Sequence, residues 1–190
     1  MNIRTIRLAA LLVTVASPVL AHSGHEASGF AHPFTGLDHL LAMLGVGVWA
    51  SLLAIKRPAA AYLVPVAFIS MMLVGAAAGF AGIKLPLVEA AIVSSVLVLG
   101  ALVVAAVRLP SAVAMAVVGL FAVFHGYAHA IEAPTSGTAV YILGFVAATA
   151  LLHVAGLGLG WVARRSRGDL ALRALGGAVM AGGAFVLIAN

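Results

Sequence analysis

No cysteine occurs in the 190 residues, which excludes disulfides, thiolate metal centres and thiol redox chemistry. Charge is nearly as scarce. Only 8% of the side chains are charged and 64% are hydrophobic, whereas a soluble domain carries about 25% and 45–50% respectively. Ten basic and five acidic residues cannot cover a water-soluble globule, and a mean hydropathy of +1.22 points to an all-α bundle embedded in lipid. No phosphate-cradling glycine loop of the ATP-binding kind is present either. What the chain does hold is histidine: seven residues, six of them within the first 129.

The start MNIRTIRLAALLVTVASPVLA has Arg4 and Arg7, a short apolar run and small residues near Ala21, which predicts a cleaved secretory signal over 1–21. Ser17-Pro18 leaves that run short of the roughly 20 residues a span needs. A polar segment, 22–36, follows, and then a domain, 37–190, with six predicted transmembrane helices: Leu37–Ile55, Ala60–Phe80, Pro86–Val107, Ser111–Ile131, Thr138–Ala163 and Ala171–Ala189. Loops are short, so successive helices should be antiparallel. Lys56, Arg57, Arg108, Arg164, Arg165, Arg167 and Arg173 all fall on one side, against Lys84 alone on the other. The positive-inside rule then places both mature termini in the periplasm of a multi-pass inner-membrane protein. Basic residues therefore set orientation, and a nucleic-acid partner is excluded.

Trp49, Tyr62 and Trp161 fall near predicted cytoplasmic helix ends and Tyr127 and Tyr141 near periplasmic ones, as interfacial belt residues do. Gly75-x-x-x-Gly79, Gly156-x-x-x-Gly160 and Ala178-x-x-x-Gly182 predict close helix packing. A homo-oligomer is left open.

An ionisable group in a bilayer is costly and usually faces a cavity or a partner. His32, Asp38 and His39 precede and open the first span, where Pro33 and Gly36 permit a non-helical approach that folds His32 back over the helix start. Asp38 either joins a site between helices or orients a ligating imidazole. Met43, one turn beyond His39, is a core residue or a soft auxiliary ligand. At the end of the fourth span His125, His129 and Glu132 are spaced i, i+4 and i+7, a single stripe aimed at the same membrane face. His153 lies deeper in the fifth span, either the next station for an ion or a core residue. Glu89 opens the third span with Lys84 or a histidine as its expected partner. His22, His25 and Glu26 at the mature terminus suit weak capture of a cation. Imidazole and carboxylate donors together suit nickel, cobalt, zinc or copper(II) rather than magnesium or calcium.

His32-Pro33-Phe34-Thr35-Gly36-Leu37-Asp38-His39-Leu40-Leu41-Ala42-Met43, continuing to Val46-Gly47-Val48-Trp49-Ala50, resembles the signature of the HupE/UreJ family of nickel/cobalt permeases. Phe124-His125-Gly126-Tyr127-Ala128-His129-Ala130-Ile131-Glu132-Ala133-Pro134 resembles the family's second motif, with Ala130 where the pattern has glycine. The resemblance covers the whole chain. It implies secondary uptake of nickel, sometimes cobalt, across the bacterial inner membrane to supply hydrogenase or urease. It also implies that His32, Asp38 and His39 serve transport and that His125, His129 and Glu132 belong to the second motif. On this reading the chain is not an enzyme; it has no permanent cofactor, and Ni2+ or Co2+ is its cargo. The rivals are an intramembrane zinc hydrolase with Asp38 or Glu132 as base, and a sensor or storage protein without a through-path.

Overall fold

Long uncharged runs of Ala, Leu and Val leave backbone polar groups in lipid only each other to bond, and every regular element among the described residues is a helix in the computed structural model. The structure describes residues 29–189. The expected signal segment and His22, His25 and Glu26 lie outside them.

A single turn, α1 (His32–Thr35), leads to α2 (Leu37–Leu53), α3 (Ala60–Phe80), α4 (Val88–Val104), α5 (Ser111–Ile131) and α6 (Thr138–Ala189). Two expected spans, now α3 and α5, match to the residue. Two more are shorter than expected: α2 stops at Leu53, and α4 is bounded by Leu87 (φ 59) and Ala106 (φ 52), which are left-handed and cannot continue a helix. The approach to α2 is helical where an irregular path was expected: Pro33 sits in the first turn of α1, which a proline tolerates, and only Gly36 (φ −93, ψ 120) is extended. The basic run after Ala163 is a second departure. It stays helical through Ser166, and the chain leaves helix only at Arg167 (φ −142, ψ 18) and Gly168 (φ 63, ψ −147). Arginine is a good helix former and no proline intervenes, so the break is confined to Gly168, whose positive φ favours glycine, and to the arginine before it. This divides α6 into two limbs, 138–166 and 169–189. By length and composition α3, α5 and α6 can each cross a membrane, while α2 and α4 have 17 residues each.

The helices pack in pairs along glycines. A Cβ on Gly75 would enter the Val123 carbonyl and one on Gly126 the Met72 carbonyl, so α3 and α5 touch backbone to backbone. A Cβ on Gly79 would stand 2.7 Å from that of Ala130, so the missing side chain at Gly79 accommodates the departure from the motif at Ala130. Gly47 meets the His153 carbonyl and Gly156 the Leu44 carbonyl, joining α2 to the first limb of α6. The second limb meets α4 where Gly176 faces Val103 and Gly100 faces Met180, rather than at Ala178; Gly182 faces Leu41 of α2.

These pairings surround α2, which touches α3, α4, α5 and α6. A central helix has no lipid face, and that overturns the belt role expected for Trp49: it is fully buried, and its indole Nε1–H donates to the Val107 carbonyl at 3.0 Å. Tyr141, also expected in the belt, is only 4% exposed, whereas Tyr62 and Trp161 remain exposed at 61% and 50%. Apolar side chains such as Leu120, Val140, Leu143 and Val154 point outward while His125, His129, Thr149 and His153 point inward. Polar groups inside and apolar ones outside suit a chain surrounded by lipid.

Candidate metal site

The start of α2 builds the first part of the site. Asp38 folds back so that its Oδ1 accepts from both the His39 backbone N–H (2.7 Å) and His39 Nδ1 (2.9 Å). Gly36 makes this fold possible, because a Cβ there would stand 2.9 Å from that carboxylate oxygen and 3.3 Å from the ring nitrogen. A carboxylate only accepts, so the proton sits on Nδ1 and the Nε2 lone pair is free. Asp38 is therefore placed to orient His39. His39 Nε2 is buried and has no protein partner.

The end of α5 builds the second part. His125 Nδ1 lies 3.1 Å from the Phe121 carbonyl one turn back, which accepts its proton and leaves Nε2 buried and unpartnered. His129 has no partner for either ring nitrogen, and its ring stacks flat on Phe145 at 4.6 Å and 4°. The three rings meet edge to face: His39 is 5.1 Å from both His125 and His129. His32, carried over by α1, lies 4.9 Å from His129 and 6.1 Å from His39.

Glu132 caps α5 outside the helix, and its Oε2 meets His32 Nε2 at 2.7 Å. The hydrogen bond from His32 holds the Glu132 carboxyl below the usual carboxylate range, against partial burial, which acts the other way. A depressed carboxyl pKa stabilises the fold above the ordinary carboxyl range, and that contribution is lost as pH falls through the depressed value. Glu132→Gln is accordingly expected to lower the melting temperature slightly near neutral pH, by the equivalent of less than about 1 kcal/mol for a half-exposed pair. The difference from wild type should vanish in acid; a deficit that persists there would show that the carboxylate is not responsible.

The structure thus brings His32, Asp38, His39, His125, His129 and Glu132 together at one end of the bundle. As placed, no three donors among the described residues already stand at the spacing of a metal centre. Met43 is fully buried in the core. Glu89 and Lys84 are exposed, with no ion pair to either among the described residues.

A family model described as HupE / UreJ protein matches residues 9–186. The chain belongs to the HupE/UreJ family. It is also similar to Protein HupE of Rhizobium leguminosarum bv. viciae, at 44% identity over 189 residues, covering 96% of this chain and 97% of that one. No solved structure matches.

In this HupE/UreJ chain the cluster has a wall of which the sequence singled out only His153, as a next station or core residue, and Tyr141, as a belt residue. Tyr141, Phe145, Thr149 and His153 recur every four residues on α6, and all four are buried. Tyr141 lies 6.0 Å from His32 with its hydroxyl unpartnered. Across from this stripe, Phe68 and Met72 of α3 are fully buried. The signal was a four-residue period containing a threonine and a histidine within an apolar span, which only its partners on α3 and α5 make meaningful.

Proposed function

We propose that this chain is a secondary transporter that takes up nickel, and also cobalt, from the periplasm to the cytoplasm. One observation carries the reading: His39, His125 and His129 bring buried, unpartnered imidazole nitrogens together on rings in mutual edge contact inside an apolar bundle, with His39 5.1 Å from each of the other two. An unsatisfied buried polar group costs about 1–3 kcal/mol, so a folded core without a cation to bind has no use for several side by side. Neutral imidazoles backed by carboxylates suit borderline divalent ions, and membership of the HupE/UreJ family supports nickel among them.

The reading includes six membrane passes after a cleaved signal, with α6 supplying two, and both mature termini in the periplasm of a bacterial inner-membrane protein. It involves no enzyme chemistry and no permanent cofactor. A hydrated cation is gathered by the tail and by the His32–Glu132 mouth, loses water to the His39–His125–His129 rings and passes inward. Moving two charges down the membrane potential is worth about 4.6 kcal/mol per 100 mV, twice the single-charge figure, enough for roughly thousandfold accumulation without ATP. The delivered ion serves nickel enzymes such as hydrogenase or urease.

The test is uptake of radiolabelled nickel by cells with and without the chain. Uptake should depend on the chain, collapse with the membrane potential and be competed by cobalt more strongly than by magnesium. Absence of chain-dependent uptake, or a purified protein that holds stoichiometric zinc through dialysis, would overturn the reading in favour of a non-transporting site or a zinc hydrolase.

A further inference from the structure

Below the outer cluster, one histidine is left unused by the site already described. His153 is 1% exposed, and both of its ring nitrogens lack a partner. The backbone of α2 presses against it from the other side, where Gly47 faces the His153 carbonyl. A leucine would fill the same space without the cost of stranding two polar atoms. The nearest ring to it is not another imidazole. Phe68, fully buried, stands edge-on between the two levels, 5.1 Å and 88° from His153 and 5.5 Å and 62° from His125.

One turn toward the outer cluster the same two helices meet again. Thr149, four residues before His153, donates its hydroxyl to the Met72 sulfur at 3.8 Å, and Met72 lies four residues after Phe68. The seam between α3 and α6 therefore places an imidazole, a thioether and a hydroxyl on a single face, with the thioether and hydroxyl on the outer side and a phenyl ring standing between His153 and His125. Imidazole with thioether favours nickel, cobalt, copper or zinc over magnesium and calcium, which need oxygen ligands. Phe68 makes no hydrogen bond, so its ring can turn aside without breaking one.

We infer that His153, with Met72 and Thr149 on its outer side, forms an inner station for a largely dehydrated divalent cation of borderline softness, with Phe68 standing between His153 and His125 of the outer cluster. The inference rests on the transport reading and adds a second binding step to it. An ion leaving the outer rings exchanges imidazole ligands for the thioether and hydroxyl, and then for His153, without returning to water.

The experiment compares wild type, His153→Gln and His39→Ala in two measurements: nickel uptake by cells at matched membrane abundance, and Co2+ binding to the purified proteins, read from the visible absorption of the bound ion. Glutamine keeps the volume and polarity of position 153 but is a poor ligand. His153→Gln is expected to bind Co2+ at the outer cluster about as tightly as wild type while its uptake falls more than about tenfold, since loss of even an outer partner of a metal ligand costs 10–100-fold. His39→Ala should lose both. Binding by His153→Gln also reports that the variant is folded. Wild-type uptake by His153→Gln overturns the inner station, and so does loss of binding together with uptake, because His153 would then support the outer cluster. If wild type itself neither binds Co2+ nor takes up nickel, the transport reading fails, an outcome distinct from the first two.

Discussion

Replacing His39 with alanine is expected to lower nickel uptake at least about a hundredfold at unchanged membrane abundance, the upper end of the cost of disturbing a metal ligand's surroundings. No other residue joins so much of the site. Its ring lies 5.1 Å from His125 and from His129 and 6.1 Å from His32, and Asp38 alone fixes its orientation. Without it, α2 loses the imidazole that packs against both histidines of α5. Asp38→Asn should cost less, about tenfold, because the amide oxygen can still accept from Nδ1 but no longer carries the charge that strengthens Nε2 as a donor to metal. If Asp38 acts only through His39, the double variant will be no worse than His39→Ala alone, whereas independent ligands would add their losses. Uptake by His39→Ala equal to that of wild type would remove this ring from the path.

Gly126→Ala is expected to destabilise the protein by about 3 kcal/mol or more, at the upper end of overpacking costs. The new methyl would enter the Met72 carbonyl, with the Met72 carbonyl carbon at 2.6 Å and Cα at 2.9 Å. Those are backbone atoms of a packed helix and cannot swing away as a side-chain end would. The same substitution at Gly158, where a Cβ meets nothing within 4 Å, should change stability by no more than about 1 kcal/mol, in the stabilising direction set by helix propensity. Thermal unfolding of both variants in detergent, followed by circular dichroism, provides the comparison. Equal midpoints would refute the close α3–α5 contact. Gly126 lies next to His125 in the motif, yet its role is to let α5 approach α3 closely enough to hold that histidine beside Phe68.

Much of this architecture was legible in the residues. Scarce charge and long apolar runs located the helices, and α3 and α5 end where Pro58, Gly82, Pro110 and Pro134 punctuate the chain. The spacing of His125 and His129 placed them on one face, and both do face the core. Trp49 shows where such reading stops. A tryptophan near a helix end belongs to the interface only if its helix has a lipid face, and whether α2 has one depends on how many neighbours surround it. Arg167-Gly168 shows a second limit: a cluster of arginines reads as a loop by charge, but charge at the rim of a bundle does not oppose helix, and the backbone yields only at the glycine and the residue before it.

By itself, then, the sequence determined that the chain is helical and apolar outside, where its few ionisable groups lie along it, and which family it resembles; these follow from local propensity and from the cost of unpaired polar groups in lipid. Only the tertiary structure decided that Asp38 clamps His39, that His32 reaches Glu132, and that Phe68 stands between His125 and His153. Those relations join residues from different helices or depend on one rotamer in a crowded turn. They are set by how closely glycine lets two backbones approach, a distance that no spacing along a single helix contains.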